Sequence, residues 1–191
     1  MTAAPPDIDP QSEPESPSPL GAAVERFDEW FDQALDRFRG NPMADRIFYA
    51  ASGVGDMSML WHIVGAARAA IDPSRLGDAG RLSATLGIES LVVNQGVKRL
   101  FKRGRPAFGG TRPHRLRTPS TTSFPSGHAS AAFCAAVVLS AQDRRLAPLW
   151  YALATVVAIS RPYVRIHHAS DVVGGAVLGY LAGRASLALW R

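Results

Sequence analysis

Cysteine is nearly absent from this chain: Cys134 is the single one among 191 residues. An internal disulfide framework and any cysteine-based zinc site are excluded, so metal binding would have to rest on histidines and carboxylates. Charge is scarce too, at 19% of residues against about 25% in a soluble globular chain. What charge there is leans to one sign, 21 Lys+Arg against 16 Asp+Glu, or a net +5, with a sequence pI near 10.0. A basic yet charge-poor chain favours a membrane protein or a binder of anions over an acidic cytosolic enzyme. Strand-like alternation and solenoid repeats are both missing. No basic n-region followed by an apolar h-region opens the chain, so a secretory signal peptide is not expected there. The length is that of one domain.

Along the chain, residues 1–20 are rich in Pro, Ser and acid and predict a disordered tail. Residues 21–40 predict an amphipathic helix: Val24, Phe27, Trp30, Phe31, Leu35 and Phe38 recur at helical spacing, with Asp28, Asp32, Asp36 and Arg37 between them. Such a helix packs on the main body or lies along a membrane interface. Beyond it, from residue 44 to 191, five apolar stretches run Ile47 to Ile71, Leu82 to Val97, Gly127 to Gln142, Leu146 to Ser160 and Val172 to Trp190. All predict helices, giving an all-α fold. Several are shorter than the roughly 20 residues of a membrane span, so length alone leaves a soluble bundle open. Asp56 and Glu89, inside two of the stretches, are expected to face the bundle interior.

The chemistry lies between these stretches. Lys98 and Arg105-Pro106 form K-x6-R-P, Pro125-Ser126-Gly127-His128 opens the third stretch, and Ser160-Arg161 with His167 and Asp171 forms S-R-x5-H-x3-D. At about 5% per residue type, a four-residue match such as PSGH arises on the order of once in 10⁵ starting positions. Three such signatures in order are not coincidence.

These motifs resemble the type 2 phosphatidic acid phosphatase superfamily at every defining position, over the chain from Ile47 onward. The resemblance implies a membrane-embedded bundle of about five transmembrane helices with the motifs gathered at one end. It also implies a metal-independent, cofactor-free lipid phosphate phosphatase. His167 would be its nucleophile, Asp171 the partner that orients it and His128 the general acid, with Lys98, Arg105, Ser126, Gly127 and Arg161 as the phosphate cradle. Substrates implied are a polyprenyl-linked phosphosugar or polyprenyl pyrophosphate, with phosphatidate or phosphatidylglycerophosphate as the alternative.

The residues carry the same roles on chemical grounds. Removing a phosphoryl group needs cations for the non-bridging oxygens, a nucleophile, and a proton for the departing oxygen. Arg105 and Arg161 offer planar forks matched to phosphate, and Lys98 a compact charge. Ser126 and Gly127 precede an apolar helical run, where exposed backbone N–H groups and a hydroxyl would face an anion. His167 and Asp171 are four apart, a spacing that brings carboxylate toward imidazole on one helical turn and leaves the other ring nitrogen to attack phosphorus. His62, His114 and His168 are expected to pack, face solvent or support the site, and Cys134 to lie in the core. A vanadium-dependent haloperoxidase would share the anion cradle, and a non-catalytic membrane binding protein would lack the need for nucleophile and acid.

The segment from Gly104 to Phe124 is the longest irregular stretch, and Arg112, Arg115 and Arg117 within it are expected to gather anionic headgroups. The basic run at Lys98-Arg99 and Lys102-Arg103 has no interleaved aromatic platform, so nucleic acid is not an expected partner. With five spans, the Lys/Arg excess sits on the side holding residues 98–125 and 161–168, and the positive-inside rule then places the site at the cytoplasmic face of the cell membrane.

Overall fold

Ser18 starts the first helix, its side chain accepting the Gly21 N–H at 3.2 Å, with Pro19 in the first turn where no intrahelical N–H is needed. In this computed structural model, which describes residues 18–109, 112–117 and 119–189, helix α1 spans Pro19–Asp36. It therefore begins two residues inside the stretch expected to be disordered, the rest of which lies outside the described residues. It also ends at Asp36 rather than residue 40, where Gly40 turns the chain at φ +83°.

Asn41 then caps α2, Pro42–Val54, by accepting the Met43 and Ala44 N–H groups. The sequence predicts one helix from Ile47 to Ile71; the structure has two. A 3-10 turn, Asp56–Ser58, with Met57 at φ 52° and Ser58 at φ 59°, separates α2 from α3, Met59–Ile71. Left-handed residues cannot continue a right-handed helix. The break falls where the chain crosses the site: a Cβ on Gly55 would sit 2.7 Å from His128 Cδ2.

Helix α4, Leu76–Leu91, runs on through a π-helical turn, Val92–Gly96, with a 3-10 turn, Val97–Leu100, beyond it. Such π turns gather at functional sites, and this one aims Asn94 toward the cavity described below. Helices α5 (Gly127–Gln142), α6 (Ala147–Tyr163) and α7 (Ala169–Leu189) complete the chain.

Helix α5 is the axis of the bundle, buried along most of its length. Its Ala-rich surface lets α7 come close: Gly175, Gly179 and Gly183 recur every four residues, and a Cβ on Gly179 would fall 1.9 Å from the Ser130 carbonyl oxygen. Trp61, Leu82, Leu86, Cys134, Leu139 and Trp150 fill the rest of this core. A second cluster, Leu35, Tyr163, Val164 and Ile166, fastens α1 and α2 to the end of the bundle where the motifs meet.

The outer faces are apolar. Ile63, Ile88, Leu91, Val156, Val173, Val177 and Leu181 are exposed, and α7, at 21 residues with only 17% of its apolar window buried, is long and apolar enough to cross a membrane. Helices α3 to α6 have 13 to 17 residues, or about 20–26 Å at 1.5 Å per residue. Among the described residues, one helix rather than five thus meets the length and apolarity expected of a span.

Candidate active site

The motif residues converge although they come from four different helix ends. Lys98 follows α4, Gly127 and His128 open α5, Arg161 lies in the last turn of α6, and His167 and Asp171 flank the start of α7. Lys98, Gly127, His128, Arg161 and His167 line one cavity of about 230 Å³ together with Asp56, Asn94 and Arg117.

His167 is 2% exposed and Asp171 0%, with Nδ1 3.6 Å from Oδ2. The Ser123 hydroxyl donates to the same Asp171 oxygen and lies 3.4 Å from His167 Nδ1. On the far side of the ring, Arg105 Nη1 approaches Nε2 at 3.2 Å. A guanidinium only donates, so Nε2 is the accepting nitrogen and the ring proton sits on Nδ1, facing Asp171. Burial, together with the charges of Arg161 and Arg105, brings the imidazole pKa down to about 3 against the pull of Asp171. The ring is neutral at physiological pH and its lone pair points at the cations.

Asp171 is itself fixed from several directions. Arg103 Nη1 donates to Oδ1 at 2.7 Å and the His168 backbone N–H to Oδ2 at 2.8 Å. Its backbone carbonyl accepts the Ser126 N–H at 3.0 Å.

Arg161 is wholly buried. Its Nη1 donates to the Ser52 hydroxyl, while Nε and Nη2 have no partner among the described residues. Buried donors without acceptors are rare in folded proteins and mark a place for a ligand or a strained function. Lys98 is also buried, and burial together with Arg105 and Arg161 lowers its ammonium pKa to about 8. The cavity therefore concentrates positive charge in a low-dielectric setting, which is the electrostatic requirement for an oxyanion.

His128 lines the same cavity from the start of α5. Its Nε2 lies 3.2 Å from Asp56 Oδ1 and 3.1 Å from the Ser52 carbonyl oxygen, so Nε2 carries a proton and donates.

Known proteins resemble this chain in sequence and fold. Residues 79–191 match the PAP2 superfamily. The decaprenylphosphoryl-5-phosphoribose phosphatase of Mycolicibacterium smegmatis is 35% identical over 128 residues, which cover 66% of this chain and 68% of that protein. Phosphatidylglycerophosphatase B of Bacillus subtilis is 28% identical over 170 residues, 83% of this chain and 81% of that one. The chain belongs to the PAP2 superfamily. Two crystal structures extend the likeness to the fold. The transmembrane PAP2 type phosphatidylglycerolphosphate phosphatase of Bacillus subtilis superposes with a TM-score of 0.68 at 26% identity, covering 87% of this chain and 86% of its own. Aquifex aeolicus LpxE gives 0.67 at 25% identity, covering 84% and 93%. The fold is that of the PAP2 membrane phosphatases, and the chain is a membrane lipid phosphatase.

Within this PAP2 site the expected residues do not all serve as the motif spacing suggests. Ser126 stands behind the cavity wall: its N–H is bonded to Asp171, and its hydroxyl caps α5 by accepting the Ala129 N–H at 3.5 Å. The serine that a helix start demands is thus used by the helix, while Gly127 lines the cavity. Arg105 reaches His167 but also donates to the Ile166 and Thr121 carbonyls at 2.8 and 3.1 Å, so it holds the loop that carries His167 as well. Of the three loop arginines, Arg117 lines the cavity. Arg112 instead donates to the Val164 carbonyl and stacks 4.1 Å over Phe108, a role in holding the loop rather than meeting a headgroup. His168 bonds Asp171, His62 pairs with Ser83 and His114 packs on Tyr49. Glu89 is buried as expected, bonded by the Ser130 hydroxyl.

Motif spacing does not reveal Asp56, Ser52, Ser123, Arg103 or Asp28. A charged residue inside an apolar stretch is a signal for Asp56. The others have no local pattern.

Proposed function

We propose that the site works by covalent phosphoryl transfer through His167. Nε2 attacks phosphorus, forming an N–P bond as the bond to the leaving oxygen breaks, and His128 gives that oxygen its proton. Water then attacks the phosphohistidine, His128 takes the proton from the water, the N–P bond breaks and inorganic phosphate leaves. Lys98, Arg105 and Arg161 hold the equatorial oxygens, and the positive ring formed by His167 is met by the Asp171 carboxylate. The observation that carries this reading is the buried Arg161 with two unpartnered donors, in the same cavity as the His128 ring and the accepting nitrogen of His167. A rapid acid-labile, base-stable incorporation of phosphorus-32 from labelled substrate, absent in His167→Ala, tests it; incorporation unchanged in that variant overturns it.

Metal independence belongs to the same proposal. Among the described residues no three His, Cys, Asp or Glu side chains gather as a metal centre requires, and the charge on the cavity side comes from Lys98 and Arg161. Full turnover in excess chelator is the expected outcome.

For the substrate, a polyprenyl-linked phosphosugar or polyprenyl pyrophosphate is favoured over phosphatidate. The support is the mycolicibacterial relative, named for decaprenylphosphoryl-5-phosphoribose, and Arg117, which adds a cation at the cavity for a headgroup larger than a simple monoester. Phosphatidylglycerophosphate is the second reading, favoured by the longer match to the Bacillus subtilis enzyme. Competition among these lipids in mixed micelles decides between them. Multi-pass insertion by α3 to α7 fits the apolar outer faces of α3, α4, α6 and α7, with α1 and α2 at the site end, and the cation excess at that end favours a cytoplasmic face.

A further inference from the structure

We propose that Arg103 and Asp28 are positioning residues for the His167 nucleophile, and that α1 is thereby part of the catalytic apparatus. This inference rests on the phosphohistidine reading. Arg103 is one of the six unspecified positions of K-x6-R-P, and Asp28 lies outside residues 79–191, the segment that matches the superfamily. Arg103 bridges the two acids: Nη1 donates to Asp171 Oδ1 at 2.7 Å and to Ser170 Oγ at 2.6 Å, and Nη2 to Asp28 Oδ2 at 2.6 Å. Asp28 is 7% exposed, and both its oxygens are engaged. Oδ1 accepts the Ser170 N–H at 2.7 Å, and Oδ2 accepts the Ser170 hydroxyl at 2.8 Å.

Two physical effects follow. The planar guanidinium gives Nη1 to Asp171 Oδ1 and Nη2 to Asp28 Oδ2, so its rigid fork ties that one carboxylate oxygen to α1 and leaves Asp171 Oδ2 turned toward His167 and Ser123. Asp28 acts on charge. Asp171 must present its full negative charge when His167 becomes a cationic phosphohistidine, and a lone Arg103 would compete with the ring for that charge. Asp28 neutralises Arg103 from the opposite side, so the fork orients the carboxylate without weakening it. A purely structural anchor for α1 would need neither the second contact to Asp171 nor the full engagement of Asp28.

The test uses the full-length protein in detergent micelles with farnesyl pyrophosphate as probe substrate. Arg103→Ala is expected to lower kcat by about 10²-fold, the loss that follows a small misplacement of a reacting group. KM should stay within about threefold, because substrate binding is not what is removed. Asp28→Asn is expected to lower kcat by about tenfold, and to have no further effect when Arg103 is already Ala, because Asp28 acts through Arg103. Arg103→Lys keeps the charge but loses the fork, so it falls between wild type and Arg103→Ala. If Arg103→Ala does not fold, Arg103→Lys and Asp28→Asn still decide the matter by the same kcat loss at constant KM.

A loss confined to KM, an Asp28→Asn variant with wild-type kcat, or multiplying effects in the double variant overturns the inference. Failure of wild type to hydrolyse the probe counts against the functional reading instead. Nitrogen-15 spectra of the His167 ring then decide the inference alone: the Nδ1–H tautomer, pure in wild type, is expected to become a mixture in Asp28→Asn and Arg103→Lys. An unchanged spectrum in both overturns it.

Discussion

The two histidines proposed to act in catalysis line different walls of one cavity, one before α7 and one at the start of α5, and are held in different ways. His167 is 2% exposed and its partner Asp171 0%, whereas His128 is 13% exposed and its partner Asp56 26%. Asp171 is fixed by Arg103, Ser123 and His168; Asp56 sits on a 3-10 turn between two short helices. A nucleophile must be aimed and kept unprotonated, which burial and a crowded partner achieve. An acid that also serves as base must exchange a proton with water in each cycle, which needs a partner near solvent.

The largest effect should come from breaking the buried wall. His167→Ala is expected to lower kcat by about 10⁴-fold or more, with the protein still folded in detergent; wild-type turnover would remove it as nucleophile. On the other wall, His128→Ala should cost about 10²- to 10⁴-fold. Steady-state kinetics should show the loss in kcat/KM, which reports the first step alone, shrinking for substrates with good leaving groups, which need no proton, whereas the His167 loss stays the same.

Between the two walls lies Arg161, where Arg161→Lys is expected to reduce kcat/KM by about 10²- to 10³-fold, since an ammonium cannot reproduce the fork.

Sharper still is a pH profile. Lys98, with its pKa lowered to about 8 by burial and neighbouring cations, is charged below that pH and neutral above it. Free-enzyme kcat/KM should therefore fall as pH rises through about 8, and Lys98→Arg should move that limb upward because arginine stays charged. A limb that does not move would assign the titration to another group.

Asp56→Asn completes the comparison with the smallest effect, about tenfold on kcat, because it removes only the charge that favours His128 in its protonated form. A loss as large as that of Asp171→Asn would mean that the exposed wall is as tightly specified as the buried one.

How much of this was legible in the sequence depends on how far apart the cooperating residues lie. His167 lies two residues before α7 and Asp171 in its first turn, only four positions apart, and Ser126-Gly127-His128 share one helix start, so their proximity is written in local spacing. Arg103 and Asp28 meet across 75 residues, a distance at which no periodicity survives. The break after Gly55 was hidden because Met57 and Ser58, the residues that turn left-handed, are of types that do not mark left-handed backbone as Gly and Asn do, while the approach of His128 shows only in the glycine kept at 55. Ser126 was ambiguous because helix caps and phosphate sites use the same residue type for the same reason, a hydroxyl beside unpaired N–H groups. The amphipathic pattern of α1 was clear but its facing was not. Asp28 is buried against Arg103, whereas Asp32 and Asp36 pair with Arg39 and Arg165 at the surface, and Trp30 and Phe27 remain outside.

The unpaired guanidinium atoms of Arg161 also bear on how long the molecule survives. A buried charge short of acceptors destabilises the native state, and any tetrahedral oxyanion seated there restores part of what is missing. Binding to the folded form alone adds RT ln(1 + [L]/Kd), about 2.7 kcal/mol at a hundredfold excess over Kd. Inorganic phosphate, the end product, then serves as a folding ligand. Limited proteolysis of the purified protein is therefore expected to slow as phosphate is added.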